Sequence, residues 1–145
     1  MQIYISYFYQ IRNFPVTLIP VSTAVYDPKW YSNSGVPFLD KRGVVNGLRY
    51  EPLNPSKLDD SIICNSDCDK NYKECKFLSE YSKYLDTLDF NEIYSALQNI
   101  ASRFDDKNID VCLTVYETPK NPCSERVPLI NYFKKHGIEV KEFNL

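Results

Sequence analysis

No stretch of this 145-residue chain approaches the ~20 consecutive apolar residues that a membrane helix needs, so no membrane partner is expected. An excess of one charge is also missing. Lys and Arg number 17 against 19 Asp and Glu, giving a net charge of −2 and a pI near 5.4. That balance carries no basic footprint, and nucleic acid is not an expected partner. No charged region followed by an apolar one opens the chain, so no signal peptide is expected and a cytoplasmic location is the default. Five cysteines, an odd number without secretion signals, argue against a disulfide framework. Histidine is nearly absent: His136 is the single one, which limits the candidates for a catalytic base. There is no internal repeat and no low-complexity tract.

Aromatic residues are abundant. Twelve Tyr, eight Phe and one Trp make up 14% of the chain, enough for a core with rings left over for a pocket or an interface. The length fits one domain, 1–145. The β-branched and aromatic run Ile3-Tyr4-Ile5-Ser6-Tyr7 predicts a first strand, followed by a short turn or helical piece at 11–14. A second strand is predicted over 16–22, although Pro20 cannot donate to a ladder. Residues 23–60 form a long irregular region whose rings argue against disorder. It is expected to lie over the sheet, with a small hairpin around 44–53. A cysteine-containing segment, 62–75, precedes a helix over 76–85. Asp89 with Glu92 reads as a capping-box variant, and Ile93, Leu97, Ile100, Ala101 and Phe104 then recur at helical spacing. Val111-Cys112-Leu113-Thr114-Val115 reads as a buried strand, 127–136 as a helix closed by Gly137, and 138–143 as a last, half-exposed strand. Strand, helix and strand over 109–143 predict a parallel pair joined by a right-handed crossover. The expected fold is α/β and three-layer, a mostly parallel sheet with helices on both faces in one compact domain.

The loop 116–126 carries most of the chemistry. It leads from a strand end to a helix start, where ligands bind in open α/β sheets. Free N–H groups at a helix N-terminus favour anions, and a thiol there tends toward the thiolate. Cys123 thus reads either as a nucleophile or as a small residue packing the loop. His136, at the far end of the helix and about 15–20 Å away at 1.5 Å per residue, is no base for it within one subunit. Glu117 and Arg126 read as holders of a hydroxyl and an anionic group, or as a pair that pins the loop. Thr118 and Ser124 complete the candidate ligand set on the loop. Tyr7, Trp30, Tyr31 and Tyr50 are candidate ring contacts, as pocket edge or as core, and Arg12 is a further candidate ligand residue. Cys64, Cys68 and Cys75 are spaced C-x3-C-x6-C, unlike a standard zinc ribbon. A zinc site there needs a fourth ligand from Cys123, His136, Asp67 or Asp69.

Three segments resemble the family of bacterial and phage proteins known as domain of unknown function 488. They are Ile3-Tyr4-Ile5-Ser6-Tyr7-Phe8 with Ile11-Arg12-Asn13-Phe14-Pro15, then Ile19-Pro20-Val21-Ser22 with Asp27-Pro28-Lys29-Trp30-Tyr31, and the loop from Tyr116-Glu117 through Cys123 and Arg126 to Gly137-Ile138-Glu139-Val140. The resemblance implies a compact α/β fold with a pocket beside this loop. Many members read Cys-His-Arg where this chain has Cys123-Ser124-Glu125-Arg126. Many also carry Asp-x-Arg near the end of the second strand, where this chain has Ser22-Thr23-Ala24.

The reading favoured by these residues is binding of a small anionic, nucleotide-like ligand between the 116–126 loop and the aromatic 26–50 region, without catalysis. The loop and the start of the following helix are expected to wall the main pocket. One alternative is a cysteine-dependent transferase or hydrolase acting through Cys123. Another is a protein-interaction module with a structural metal; a homo-oligomer is a further partner to test.

Overall fold

The computed structural model describes residues 1–32, 36–58, 75–103, 109–121 and 123–144. Its strands are β1 (Ile3–Tyr7), β2 (Leu18–Ser22), β3 (Phe38–Leu39), β4 (Val45–Asn46), β5 (Asp110–Val115) and β6 (Lys141–Glu142). Its α-helices are α1 (Lys76–Asp86), α2 (Phe90–Ser102) and α3 (Arg126–Lys135). Four strands form a sheet in the order β2-β5-β1-β6, and every pairing in it is parallel. β3 and β4 form a separate antiparallel hairpin. The hairpin expected around 44–53 is not found there; the hairpin that forms spans 38–46, because Asp40 and Gly43 make its turn, and Glu51–Leu53 is a 3-10 turn instead.

Strand alternation divides the buried side chains between two faces. Ile3 and Ile5, Ile19 and Val21, and Val111, Leu113 and Val115 join one core with Tyr81, Leu85, Ile93, Leu97, Leu129 and Phe133 of the three helices. Cys112 and Leu18 turn the other way, into a core with Phe8, Ile11, Phe14, Tyr31 and Val44. The 3-10 helix Phe8–Asn13 contributes to that second core, and among the described residues no α-helical one does.

Pro20 lies inside β2 without weakening it. Asp110 N–H donates to the Thr17 carbonyl (2.9 Å), so the even-numbered residues of β2 turn their peptide groups away from β5. A missing N–H at position 20 costs nothing on that outer edge. The same edge takes the segment 48–50: Ser22 N–H donates to the Leu48 carbonyl (2.9 Å) and Tyr50 N–H to the Ser22 carbonyl (3.0 Å).

The helix ends follow their local signals. Asp89 caps α2, its Oδ1 accepting from Asn91 N–H (3.0 Å) and Glu92 N–H (3.4 Å). α3 ends in a Schellman motif, with Ile138 N–H on the Phe133 carbonyl and Gly137 N–H on the Lys134 carbonyl, both 3.0 Å. Gly137 has φ +82°, which an L side chain rarely adopts.

The predicted pairing of the last two strands needs correction. β5 and β6 are parallel but not neighbours. Both edges of β5 are taken by ladders with β1 and β2, so β6 pairs with the remaining edge of β1. β6 is also shorter than predicted.

Candidate functional site

At the carboxyl end of β5 the chain turns into the 116–126 loop, and its polar groups close on one another. Arg126 is buried, and its Nε donates to Glu142 Oε1 of β6 at 2.6 Å, with Nη2 3.4 Å from Oε2. Its Nη1 donates to the Glu117 carbonyl (2.7 Å). Ser124, also buried, donates to the Glu117 carboxylate (3.2 Å) and accepts from Arg126 N–H (3.1 Å). Glu117, Ser124 and Arg126 are therefore together, as expected, but Arg126 pairs with Glu142 rather than with the Glu117 carboxylate. Thr118 is exposed on the same loop.

Glu125, between Ser124 and Arg126, carries a signal that reading the sequence missed. Burial, and secondarily the Glu117 carboxylate nearby, push its carboxyl up to about 8. Burial also raises the Glu142 carboxyl, against the opposing pull of Arg126. Cys123 packs against Cys75 and Leu78 at the start of α1. It is disulfide-bonded, where the cysteine count argued against a disulfide framework. A bridged sulfur is not a thiolate nucleophile.

The aromatic candidates divide. Tyr31 is core, with 0% of its surface exposed, its hydroxyl facing the carbonyls of Leu48 (2.6 Å) and Pro20 (3.1 Å). Tyr50 packs on the helix-side core, away from the others. Tyr7 accepts a hydrogen bond from Gln10 (3.0 Å). Trp30, next to the buried Tyr31, is 55% exposed.

Trp30 and Arg12 meet in a cleft of about 410 Å³, lined also by Tyr9, Ile11, Phe38, Asp40, Arg42 and Asn46. The β3–β4 hairpin forms one side of it. Asp40 begins the hairpin turn, its Oδ1 accepting from the N–H of Arg42 (2.9 Å) and Val44 (3.0 Å), and Gly43 completes it at φ +91°. Burial pushes the Asp40 carboxyl up, but those N–H groups and the Arg42 guanidinium outweigh it and hold the carboxyl below its ordinary value. Arg42 then reaches the carbonyls that end the 3-10 helix, Ile11 (2.7 Å), Arg12 and Phe14 (3.2 Å), and fastens hairpin to helix. Arg12 sits over the Tyr9 ring, 3.6 Å from its centroid. Among the described residues it has no ion-pair partner. Phe8 joins this cleft to the loop: its ring lies 6.4 Å from Trp30 and 4.9 Å from Tyr116.

The end of β2, which lacks acid and base in the local sequence, receives both from later in the chain. Arg49 donates to Asp27 (2.6 Å), to Glu51 (3.0 Å) and to the Ala24 carbonyl (2.8 Å), and Ser22 donates to the same Asp27 oxygen. A 22-residue separation hides that pair from local reading.

Of the metal candidates, Cys64 and Cys68 lie outside the described residues. Cys75 is buried at the start of α1. His136 stacks on Phe90, with ring centroids 4.3 Å apart. Among the described residues no three His, Cys, Asp or Glu side chains cluster to hold a metal ion. Nor is any described helix long and apolar enough to cross a membrane. No protein-family model matches the chain, and comparison with curated proteins and with solved structures gives no match.

Proposed function

We propose that this protein binds a small anionic ligand with a flat, nucleotide-like ring in the cleft between the 3-10 helix Phe8–Asn13 and the β3–β4 hairpin. One observation carries the reading. Tyr9, Trp30 and Phe38 share a cleft of about 410 Å³ with Arg12, whose guanidinium has no ion-pair partner among the described residues. That volume suits a small ligand. The rings offer stacking surface, and Arg12 offers a forked donor to phosphate or carboxylate. The anion subsite thus moves from the 116–126 loop, where Arg126 is occupied by Glu142, to Arg12. The loop approaches the site through Tyr116, whose ring lies 4.9 Å from that of Phe8. In this reading the domain is three-layered. α1, α2 and α3 cover one face of the sheet, and the 3-10 helix with the aromatic segment covers the other and holds the ligand. Capture of a ligand needs no catalytic base, which suits a bacterial or phage accessory protein of the kind the sequence resembles.

Trp30 is the single tryptophan and reports on the cleft directly. Nucleoside 5′-monophosphates should change its fluorescence saturably, while inorganic phosphate, lacking a ring, should bind more weakly. Arg12→Ala should lower nucleotide affinity on the order of tenfold, as loss of a charged hydrogen bond does. Absence of any saturable signal across the nucleotide series, with calorimetry agreeing, would remove the reading.

A further inference from the structure

β6 closes the sheet on one side, and among the described residues no strand pairs with its outer edge. Phe143 N–H donates to the Ile5 carbonyl (2.9 Å), and Gln2 Nε2 donates to the Glu139 carbonyl (3.2 Å). Odd-numbered residues of this segment therefore turn their peptide groups toward β1, and by strand alternation Val140 and Glu142 turn theirs outward. Among the described residues those outward groups have no backbone partner. Beside the edge lies a cleft of about 550 Å³ lined by Ile130, Ile138 and Val140 with Lys134 and Glu139.

Within this edge, Ile138-Glu139-Val140-Lys141-Glu142, the opposite charges Glu139 and Lys141 are placed symmetrically about Val140. In an antiparallel pair of two copies, Val140 faces Val140 of the second copy and the two exchange both of their outward hydrogen bonds. Glu142 N–H faces the Ile138 carbonyl. Glu139 faces Lys141, twice, at the non-hydrogen-bonded positions where side chains approach closest. Hydrogen-bond parity and charge agree in one register, and a slip by one residue spoils both. We propose that two copies of this chain pair antiparallel through β6, joining their four-stranded sheets into one continuous eight-stranded sheet about a two-fold axis at Val140. Edge charges ordinarily discourage such pairing. Here they oppose each other in sign, so they select the antiparallel self-pair.

The test is a charge swap read by sedimentation equilibrium over a concentration series. Wild-type protein should show the dimer mass. Lys141→Glu places like charges opposite each other at two symmetric positions and should weaken the dimer on the order of tenfold or more. Glu139→Lys should do the same. The double variant Glu139→Lys/Lys141→Glu restores both pairs and should restore the dimer. Both side chains are exposed, so each variant should keep the wild-type circular dichroism spectrum. A wild-type monomer at every concentration would overturn the proposal. So would a dimer indifferent to the single substitutions, or a double variant no better than either of them.

Discussion

Two arginines in this protein have opposite fates. Arg126 is buried at the β5–α3 corner, with Glu142 on one side of its guanidinium and the Glu117 carbonyl on the other. Arg12 lies on the surface, stacked on Tyr9, lining a cleft with Trp30 and in no ion pair among the described residues. The first position looks like a ligand site by the rule for open sheets, because it follows a strand end and opens a helix. Its donors are nevertheless consumed inside the fold. The second has no motif around it, yet among the described residues its charge is in no ion pair. An anion site is identified by which donors stay unspent, and position in the topology is weaker evidence.

The contrast breaks most sharply at Arg126. Arg126→Ala leaves Glu142 partly buried without its cation. Loss of one partner of a buried pair costs about 3–5 kcal/mol, and about 3 is expected here because Glu142 is 25% exposed. Chemical denaturation should show that loss, and Arg126→Met with Glu142→Leu should recover most of it. An unchanged unfolding midpoint in Arg126→Ala would mean the corner is not pinned as described.

Glu125 sharpens the same corner through pH. Its folded carboxyl titrates near 8, against an ordinary 4.5. Between those values the folded chain keeps a proton that the unfolded chain has lost. Stability must therefore fall as pH rises from about 4.5 to about 8, and the loss is complete above that window. Allowing for partial exposure of the side chain, the change is on the order of 2 kcal/mol. Glu125→Gln cannot ionise, so its stability curve should be flatter across the window. A variant curve parallel to the wild type would place the pH dependence elsewhere.

How much of this was legible depended on range along the chain. Asp89 and Gly137 act within four residues of themselves, and the sequence shows both. The buried run of β5 shows as well. The neighbour of β6 does not, because it depends on which strand edges remain free once β1, β2 and β5 have paired. Trp30 and Tyr31 are adjacent rings of similar chemistry, and one is exposed while the other is core. Only the carbonyls of Pro20 and Leu48, brought near by the fold, distinguish them. Arg126 lies 16 residues before its partner Glu142, and nothing local separates a spent guanidinium from a free one.

The two helix starts offer a smaller comparison. α2 begins with a side-chain cap, whereas Glu125 makes no cap bond to α3. Asp89→Ala should cost about 1 kcal/mol through the lost bonds to Asn91 and Glu92. Thermal unfolding at constant pH would measure it. No loss would show that α2 is held by its buried face alone.

The smallest effect on stability is expected at Arg12, and its smallness is the point. The side chain is exposed and stacks on the Tyr9 ring. A surface cation–ring contact contributes about 0.5–1 kcal/mol at most. Arg12→Ala should therefore leave the unfolding midpoint nearly where it was while nucleotide binding, read by Trp30 fluorescence, drops. Arg126→Ala should do the reverse: it should lower stability strongly, and under conditions where the variant is still folded it should bind nearly as well as wild type. If Arg12→Ala costs as much stability as Arg126→Ala, its charge is engaged in the fold and the cleft loses its anion-binding group. If instead the folded Arg126→Ala protein loses nucleotide binding and Arg12→Ala does not, the ligand belongs at the β5–α3 corner after all.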